Sequence, residues 1–252
     1  MKKKKKKKHI MKAIIFSAGL GTRLKHLSEN CPKALVKVNG SPLLWHAINK
    51  LIATGVEQIV VNTHHFSEQV VDYVYSNKWE VPISISNESD LLLDTGGGLL
   101  KASDFLKDAS TIIAYNVDIL SSIDLLEVIK YHNTNSALAT LVVRDRKTSR
   151  YLLFDKAMGL SGWKNFDTGI EIIATEQYRN SSPFAFSGIQ ILSPLIFEKI
   201  TETGKFSITK LYLRLAESEK IIGYYDQSDF WIDAGKPEQI EIAEKHLKQR
   251  NA

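Results

Sequence analysis

A glycine-containing loop that follows a short apolar run is the part of this sequence best suited to bind phosphate. Residues 13–18 form a mostly apolar run, and Gly19, Gly21 and Arg23 follow it closely. Glycines at the end of a strand let backbone N–H groups approach a phosphate closely, and arginine adds a permanently charged planar donor. Lys33, preceded by a proline, would supply a point charge. The predicted nucleotide contacts in this segment are Ala18, Gly19, Gly21, Thr22, Arg23 and Lys33.

Other phosphate-binding motifs match this loop less well. A dinucleotide-binding loop of the Rossmann type would have a third glycine at the position of Leu24. A Walker loop would end in Gly-Lys-Ser or Gly-Lys-Thr, which this segment lacks. A plain strand-to-helix turn with a surface arginine explains the glycines alone, but it does not explain Arg23 together with Lys33.

Two aspartates far apart in the sequence are candidate metal ligands. Asp118 follows the apolar run at 111–116, and Asp233 lies in the segment Trp231-Ile232-Asp233-Ala234-Gly235. Transfer of a phosphoryl group needs a divalent ion to orient the polyphosphate and neutralise its charge, and magnesium usually takes only one or two protein carboxylates. Each aspartate alone is better explained as a turn residue after a strand. Together with the phosphate loop, they predict a Mg²⁺ site held by Asp118 and Asp233.

The motifs of this chain resemble the signature of the sugar-1-phosphate nucleotidylyltransferases. The resemblance is carried by Gly19-Leu20-Gly21-Thr22-Arg23-Leu24 together with Pro32-Lys33-Ala34-Leu35, and it extends from Met11 to about Leu247. Within that family the chain is similar to short bacterial members that act on N-acetylmuramate 1-phosphate or on mannose and heptose 1-phosphates. Residues 93–98 and 186–189 are most similar to the muramate uridylyltransferase branch.

The resemblance implies an enzyme that joins a nucleoside monophosphate from an NTP to a sugar 1-phosphate and releases pyrophosphate. UTP is the preferred nucleotide and GTP the second choice, and the product would supply cell-wall or surface-glycan synthesis. Arg23, Lys33 and Asp118 would be catalytic, with Mg²⁺ as the cofactor. Asn116-Val117-Asp118 is similar to the family's Asn-Gly-Asp, although Val117 replaces the glycine. The expected partners are the two substrates, without nucleic acid or membrane, and the protein would be a monomer or homodimer.

Base and sugar contacts are also implied by the resemblance. Gly96 and Gly97 would lie against the nucleobase, with Asn87 or Glu88 as weaker contacts. The residues outside the loop that are predicted to contact the nucleotide are Asn87, Gly96, Gly97 and Asn116. Ser187 and Gly188 would contact the sugar. Many relatives bind the sugar phosphate through the lysine of a Glu-Lys-Pro segment, which is missing here; Lys164 is the nearest substitute and Arg150 its rival.

Two other functions share some of these features. A cytidylyltransferase for phosphocholine has the same loop and lysine, and a non-catalytic nucleotide-sugar-binding regulatory protein would have the same fold. The second would be signalled by loss of Arg23, Lys33 or an aspartate, and all of them are present. The full-length resemblance and Ser187-Gly188 favour the sugar enzyme over the phosphocholine enzyme.

Strand and helix patterns alternate along the chain and predict the framework that must position these residues. Short apolar runs at 58–62 and 111–116 are typical of buried parallel strands, and helical spacing appears at 43–54 and 123–132. This order predicts a three-layer α/β/α fold with right-handed crossovers. The resemblance implies that it is the Rossmann-like nucleotidyltransferase (GT-A-like) fold with a mixed, mostly parallel central sheet. We expect one domain at 11–252. Its parts are a nucleotide-binding half at 11–143, a sugar-binding half at 144–235 and a C-terminal helix at 236–252.

The first ten residues contain a run of seven lysines, at positions 2–8, that cannot pack into a core. We interpret residues 1–10 as a disordered tag or leader, with Met11 as the start of the domain. The formal charge of +5 becomes −2 without these lysines, so it does not indicate nucleic-acid binding. A single cysteine, Cys31, and the lack of any apolar run near the roughly 20 residues of a membrane span agree with a cytoplasmic protein.

Overall fold

The computed structural model describes residues 9–19 and 21–250. Residues 1–8 of the predicted leader lie outside this part of the chain. Fourteen strands are assigned within it: β1 Met11–Phe16, β2 Lys37–Val38, β3 Ser41–Pro42, β4 Gln58–Thr63, β5 Ile83–Asn87, β6 Thr111–Asn116, β7 Ile119–Ser121, β8 Ala139–Arg144, β9 Arg150–Phe154, β10 Leu160–Asn165, β11 Glu171–Ile173, β12 Ser182–Leu192, β13 Ile221–Tyr225 and β14 Trp231–Asp233.

Eight α-helices are assigned in the same residues: α1 Leu43–Ala53, α2 Ser67–Ser76, α3 Asp94–Lys101, α4 Ser103–Leu106, α5 Leu125–Asn135, α6 Ile196–Lys199, α7 Ile208–Leu215 and α8 Pro237–Arg250. Short 3-10 helices cover Thr22–Ser28, Lys33–Leu35 and Glu176–Asn180. None of the helices in the described ranges is long and apolar enough to cross a bilayer.

A ten-stranded mixed sheet forms the centre of the molecule. Its main path runs β11-β10-β9-β12-β6-β1-β4-β5, and β8 joins it by pairing with β12 and β13. The strands β6, β1, β4 and β5 are parallel to one another, whereas β12 runs antiparallel to β6. The carboxyl ends of the parallel strands therefore meet at one edge, where ligands bind in open α/β sheets.

Helices cover both faces of this sheet because successive residues of a strand point in opposite directions. Ala13 and Ile15 of β1 belong to the core with α1, α2, α5 and α8. Ile14 and Phe16 belong to the core with α3, α4 and α7. The predicted three-layer α/β/α fold with a mixed, mostly parallel sheet is confirmed.

Two elements differ from the sequence-based expectations. The glycine run predicts a helix over 97–106, whereas α3 begins at Asp94, so Gly96 and Gly97 lie inside its first turn. Strand β10, Leu160–Asn165, was not predicted, because its charged and polar residues interrupt the apolar pattern. The strand forms through antiparallel pairing with its chain neighbours β9 and β11, and this pairing compensates for the missing apolar pattern.

His132 on α5 makes the stability of the fold sensitive to pH. Its Nδ1 lies 2.9 Å from the Thr140 hydroxyl, and burial lowers the pKa of His132 from 6.5 to about 4. Between these values the unfolded chain binds a proton here and the folded chain does not, so stability is lost as the pH falls through this window. We expect this residue to reduce the free energy of unfolding by about 2 kcal/mol between pH 7 and pH 5, measured by urea denaturation.

The matched variant His132→Gln removes the titrating group and keeps a polar side chain near Thr140. The difference in unfolding free energy between pH 7 and pH 5 should be smaller in this variant by that amount. An equal pH dependence in both proteins would show that His132 does not contribute to it.

Candidate active site

Asp118 and Asp233 are brought together by the small antiparallel pair of β7 and β14. Asp233 lies opposite Ile119 in this pair, and the backbone N–H of Ala234 donates to the carbonyl of Asp118 at 2.8 Å. A Cβ atom added to Gly235 would lie 2.7 Å from Asp233 Oδ1 and 3.2 Å from Asp118 Oδ2. The two carboxylates therefore face the same small space from opposite ends of the chain, and a glycine at 235 leaves that space open.

Lys33 and Arg23 supply the positive charge around this carboxylate pair. Lys33 Nζ donates to Asp118 Oδ2, and Arg23 lies 3.6 Å from Asp233 and 4.0 Å from Asp118. Burial raises the pKa of Asp118, the charge of Lys33 opposes this, and the charge of Asp233 adds to it. Burial also acts to raise the pKa of Asp233, but hydrogen bonds from Asp118 and from the Gly235 N–H leave it lowered.

The carboxylate pair fits a magnesium ion. The buried carboxylate of Asp118 and the half-buried carboxylate of Asp233 repel each other when both are ionised, and a hard divalent cation relieves that repulsion. No third His, Cys, Asp or Glu joins them to form a larger metal-binding group within residues 9–19 and 21–250. A magnesium ion would therefore be held by Asp118 and Asp233, with oxygen ligands from phosphates and water completing its shell.

The phosphate loop is held by two buried residues that the sequence analysis did not assign to this task. Asn62 Oδ1, at the end of β4, accepts hydrogen bonds from the backbone N–H groups of Ser17 at 2.6 Å and Ala18 at 3.3 Å. Asn62 Nδ2 donates to Glu88 Oε1 at 2.8 Å, and Glu88 Oε2 accepts from the Leu93 N–H at 3.1 Å. The signal in the sequence that could have identified Asn62 is its position near the end of β4, the strand that pairs with β1.

We expect Asn62→Leu to raise KM for the NTP by about 10-fold, because the loop loses two hydrogen bonds at its first residues. The buried Glu88 carboxylate also loses a partner, so the free energy of unfolding should fall by roughly 2 kcal/mol. Steady-state kinetics and urea denaturation measure the two effects. As a control, Gln58→Leu removes another side-chain amide from β4 and should leave KM for the NTP unchanged. Equal KM values in both variants would contradict this role of Asn62.

A cleft of about 390 Å³ at the carboxyl edge of the sheet contains most of the predicted loop residues. Ala18, Gly19, Arg23, Lys33 and Asn116 line it together with Asp118. Gly21 adopts φ of 66°, a left-handed conformation that favours glycine, and a Cβ atom there would lie 3.2 Å from Lys33 Cβ. The structure thus brings the loop, the lysine and Asp118 into one cleft, while Thr22 is exposed at the start of a 3-10 helix.

Three of the other predicted base contacts, Asn87, Gly96 and Gly97, do not line this cleft. The N–H groups of Gly96 and Gly97 both donate to the Phe206 carbonyl, and a Cβ atom on Gly96 would lie 2.4 Å from the Phe206 ring. These glycines permit close packing on the neighbouring segment. Asn87 is exposed and accepts from the Ser89 N–H, whereas Glu88 lines the cleft. Nucleotide contact by Asn87, Gly96 and Gly97 stays a prediction.

A second cavity of about 730 Å³ adjoins this cleft and shares Arg23, Asn116 and Asp118 with it. We call the first space the loop-side cleft and the second the sugar-side cavity. Ser187 and Gly188 of β12 line it, as does Asp233. Gly188 has φ of 77°, and a Cβ atom there would lie 2.7 Å from Ile119 Cγ1. The predicted sugar residues therefore face a space that is continuous with the carboxylate pair, on the side away from the phosphate loop.

The two candidates for the missing lysine are placed differently. Lys164 does not line the sugar-side cavity; its Nζ lies 3.1 Å from Glu171 Oε2. Its neighbours Trp163 and Asn165 do line the cavity, because alternate residues of a strand point to opposite faces. Arg150 lines the cavity and is exposed. Sequence reasoning did not consider Arg146 and Lys210, two further cations in this lining.

Comparison with known proteins relates this arrangement to enzymes. The family model described as "Nucleotidyl transferase" matches residues 12–250. The mannose-1-phosphate guanyltransferase of Schizosaccharomyces pombe is 29% identical over 90% of this chain, which spans 61% of that protein's length. The N-acetylmuramate alpha-1-phosphate uridylyltransferase of Caulobacter vibrioides is 28% identical over 94% of this chain and 97% of its own. HddC from Yersinia pseudotuberculosis has the same fold, with a TM-score of 0.75 at 22% identity, covering 94% of this chain and 99% of its own. The family resemblance found in the sequence is confirmed.

Proposed function

The chain belongs to the nucleotidyl transferase family, and we propose that it joins the nucleoside monophosphate of an NTP to a sugar 1-phosphate with release of pyrophosphate. The observation that carries this proposal is the position of Asp118, which lines both the loop-side cleft and the adjoining cavity. A triphosphate in the first space and a sugar phosphate in the second would meet at this carboxylate. The similarity to a guanyltransferase and a uridylyltransferase for sugar phosphates supports the same reaction.

The reaction requires no nucleophilic side chain. An oxygen of the sugar phosphate attacks the α-phosphorus of the NTP, and the bond from that phosphorus to the bridging oxygen of the β-phosphate breaks, so pyrophosphate leaves. Asp118 and Asp233 would hold a magnesium ion, which would neutralise charge on the polyphosphate. Arg23 and Lys33 lie beside these carboxylates and would stabilise the negative charge that spreads over the phosphoryl oxygens. Positioning and electrostatics thus provide the rate enhancement.

We assign UTP as the nucleotide and a bacterial cell-wall or surface-glycan precursor as the sugar, with GTP as the second nucleotide. The support is the motif resemblance at residues 93–98 and 186–189 and the match to the Caulobacter uridylyltransferase along nearly its whole length. A cytoplasmic location follows from this proposal, since nucleoside triphosphates are made and used there.

The test is a substrate panel with the purified protein and Mg²⁺. Each of UTP, GTP, CTP and ATP is combined with N-acetylmuramate 1-phosphate, mannose 1-phosphate, glucosamine 1-phosphate or phosphocholine, and pyrophosphate and product are measured. We expect the highest rate with UTP and N-acetylmuramate 1-phosphate, loss of activity in EDTA and recovery with Mg²⁺. Turnover only with phosphocholine and CTP would refute the sugar assignment. Nucleotide-sugar binding without turnover of any pair would identify a regulatory protein.

A further inference from the structure

Arg146 is a cation in the wall of the sugar-side cavity. It forms no ion pair with any residue in the described ranges 9–19 and 21–250. One guanidinium N–H donates to the Phe186 carbonyl at 2.9 Å, and its Nε is buried without a hydrogen-bond partner. A partly buried charge is costly unless an opposite charge or further hydrogen bonds satisfy it. The structure therefore leaves this guanidinium able to bind an anion from the cavity.

The position of Arg146 is fixed by the strand that carries Asp233. Its Cζ lies 4.6 Å from the centre of the Trp231 ring, close enough for a cation–π interaction. Trp231 is anchored in turn, because its indole N–H donates to the Ser187 carbonyl at 3.0 Å and its backbone belongs to β14. Asp233 is two residues further along the same strand, and its negative charge acts on Arg146. The guanidinium is thereby held in the cavity wall between Trp231 and the Phe186 carbonyl.

We propose that Arg146 binds the phosphate of the sugar 1-phosphate and so replaces the lysine of the missing Glu-Lys-Pro segment. This inference rests on the proposed function. The attacking phosphate must lie beside the metal carboxylates on the sugar side, and Arg146 is the cation fixed at that position by Trp231. A planar guanidinium with free donors suits a phosphate. Arg150 is exposed at the cavity wall, and Lys164 is paired with Glu171 outside it.

The experiment compares steady-state kinetics of Arg146→Ala, Arg150→Ala and Lys164→Ala with the wild-type protein. We expect Arg146→Ala to raise KM for the sugar 1-phosphate by about 10- to 100-fold while KM for the NTP stays within about 2-fold. Arg146→Lys keeps the charge but not the planar fork, and it should recover part of the loss. Arg179→Ala is the matched control, since this exposed arginine lines neither cavity.

Thermal unfolding of each variant distinguishes a binding defect from a folding defect, and a second substrate identifies the group bound. If Arg146→Ala raises KM equally for mannose 1-phosphate and for N-acetylmuramate 1-phosphate, the result supports binding of the phosphate. A loss confined to the muramate would place Arg146 on the carboxylate of the sugar and overturn the proposal. A larger rise in KM for Arg150→Ala or Lys164→Ala, or none for Arg146→Ala, would also overturn it. An inactive wild-type protein would instead contradict the proposed function.

Discussion

Replacing Asp118 with asparagine is expected to lower kcat of the proposed reaction by about 10³-fold or more. Asp118 lines both cavities, accepts a hydrogen bond from Lys33 and faces Asp233. The change therefore removes a negative charge that lies beside Lys33 and that would hold the metal ion. Pyrophosphate release at saturating substrates and Mg²⁺ measures the effect. Asp233→Asn should cause a similar loss, since a single remaining carboxylate binds the ion less firmly.

Folding should survive both substitutions. Burial raises the pKa of Asp118, which means that its charged form is disfavoured by its surroundings, and a neutral amide of the same shape avoids this cost. We expect Tm to change by no more than about 4 °C. Asp229→Asn is the control, because this exposed aspartate lies near Asp233 in sequence and lines neither cavity. Wild-type turnover in both Asp118→Asn and Asp233→Asn would refute the metal assignment.

Lys33→Ala is expected to lower kcat by about 10²-fold. The lysine donates to Asp118 and lines the loop-side cleft, so its loss removes a charge aimed at the polyphosphate. The same change leaves the desolvated Asp118 without its nearest cation. Steady-state kinetics with the preferred pair from the substrate panel measures this loss.

Lys37→Ala is the matched control for Lys33, since Lys37 is exposed on β2 and lines neither cavity. Its kcat should equal that of the wild-type protein. Lys33→Arg retains the positive charge and should recover part of the activity. If Lys33→Ala kept more than about half of the wild-type kcat, its predicted catalytic role would be wrong.

Local sequence patterns were sufficient to predict the strands in the centre of the sheet. The buried runs that became β1, β4 and β6 are apolar on both faces, because helices cover each side. Strand β10, near the edge of the sheet, lacks such a pattern because it contains the partly exposed polar residues Lys164 and Asn165. Its pairing with β9 stabilises it instead. The pattern of apolar residues therefore predicts strands that are buried on both faces well, and it predicts a hairpin near the edge of the sheet poorly.

The candidate site shows the same division. Glycine and charge spacing identified Arg23 and Lys33, because a phosphate loop needs its residues close together in sequence. Asn62 escaped notice, since its contacts with Ser17 and with Glu88 join segments that no sequence spacing relates. Gly96 and Gly97 were predicted from the sequence to lie against the nucleobase. In the structure they pack against the segment that contains Phe206.

The sequence alone determined that this chain has a glycine loop, a lysine and two separate aspartates suited to magnesium and a polyphosphate. Only the tertiary structure placed Asp118 and Asp233 on one space beside Gly235, because that contact depends on the pairing of β7 with β14 across more than a hundred residues. The tertiary structure also decided which cations face the sugar-side cavity. Strand alternation turns Lys164 away, and Trp231 holds Arg146 in the wall.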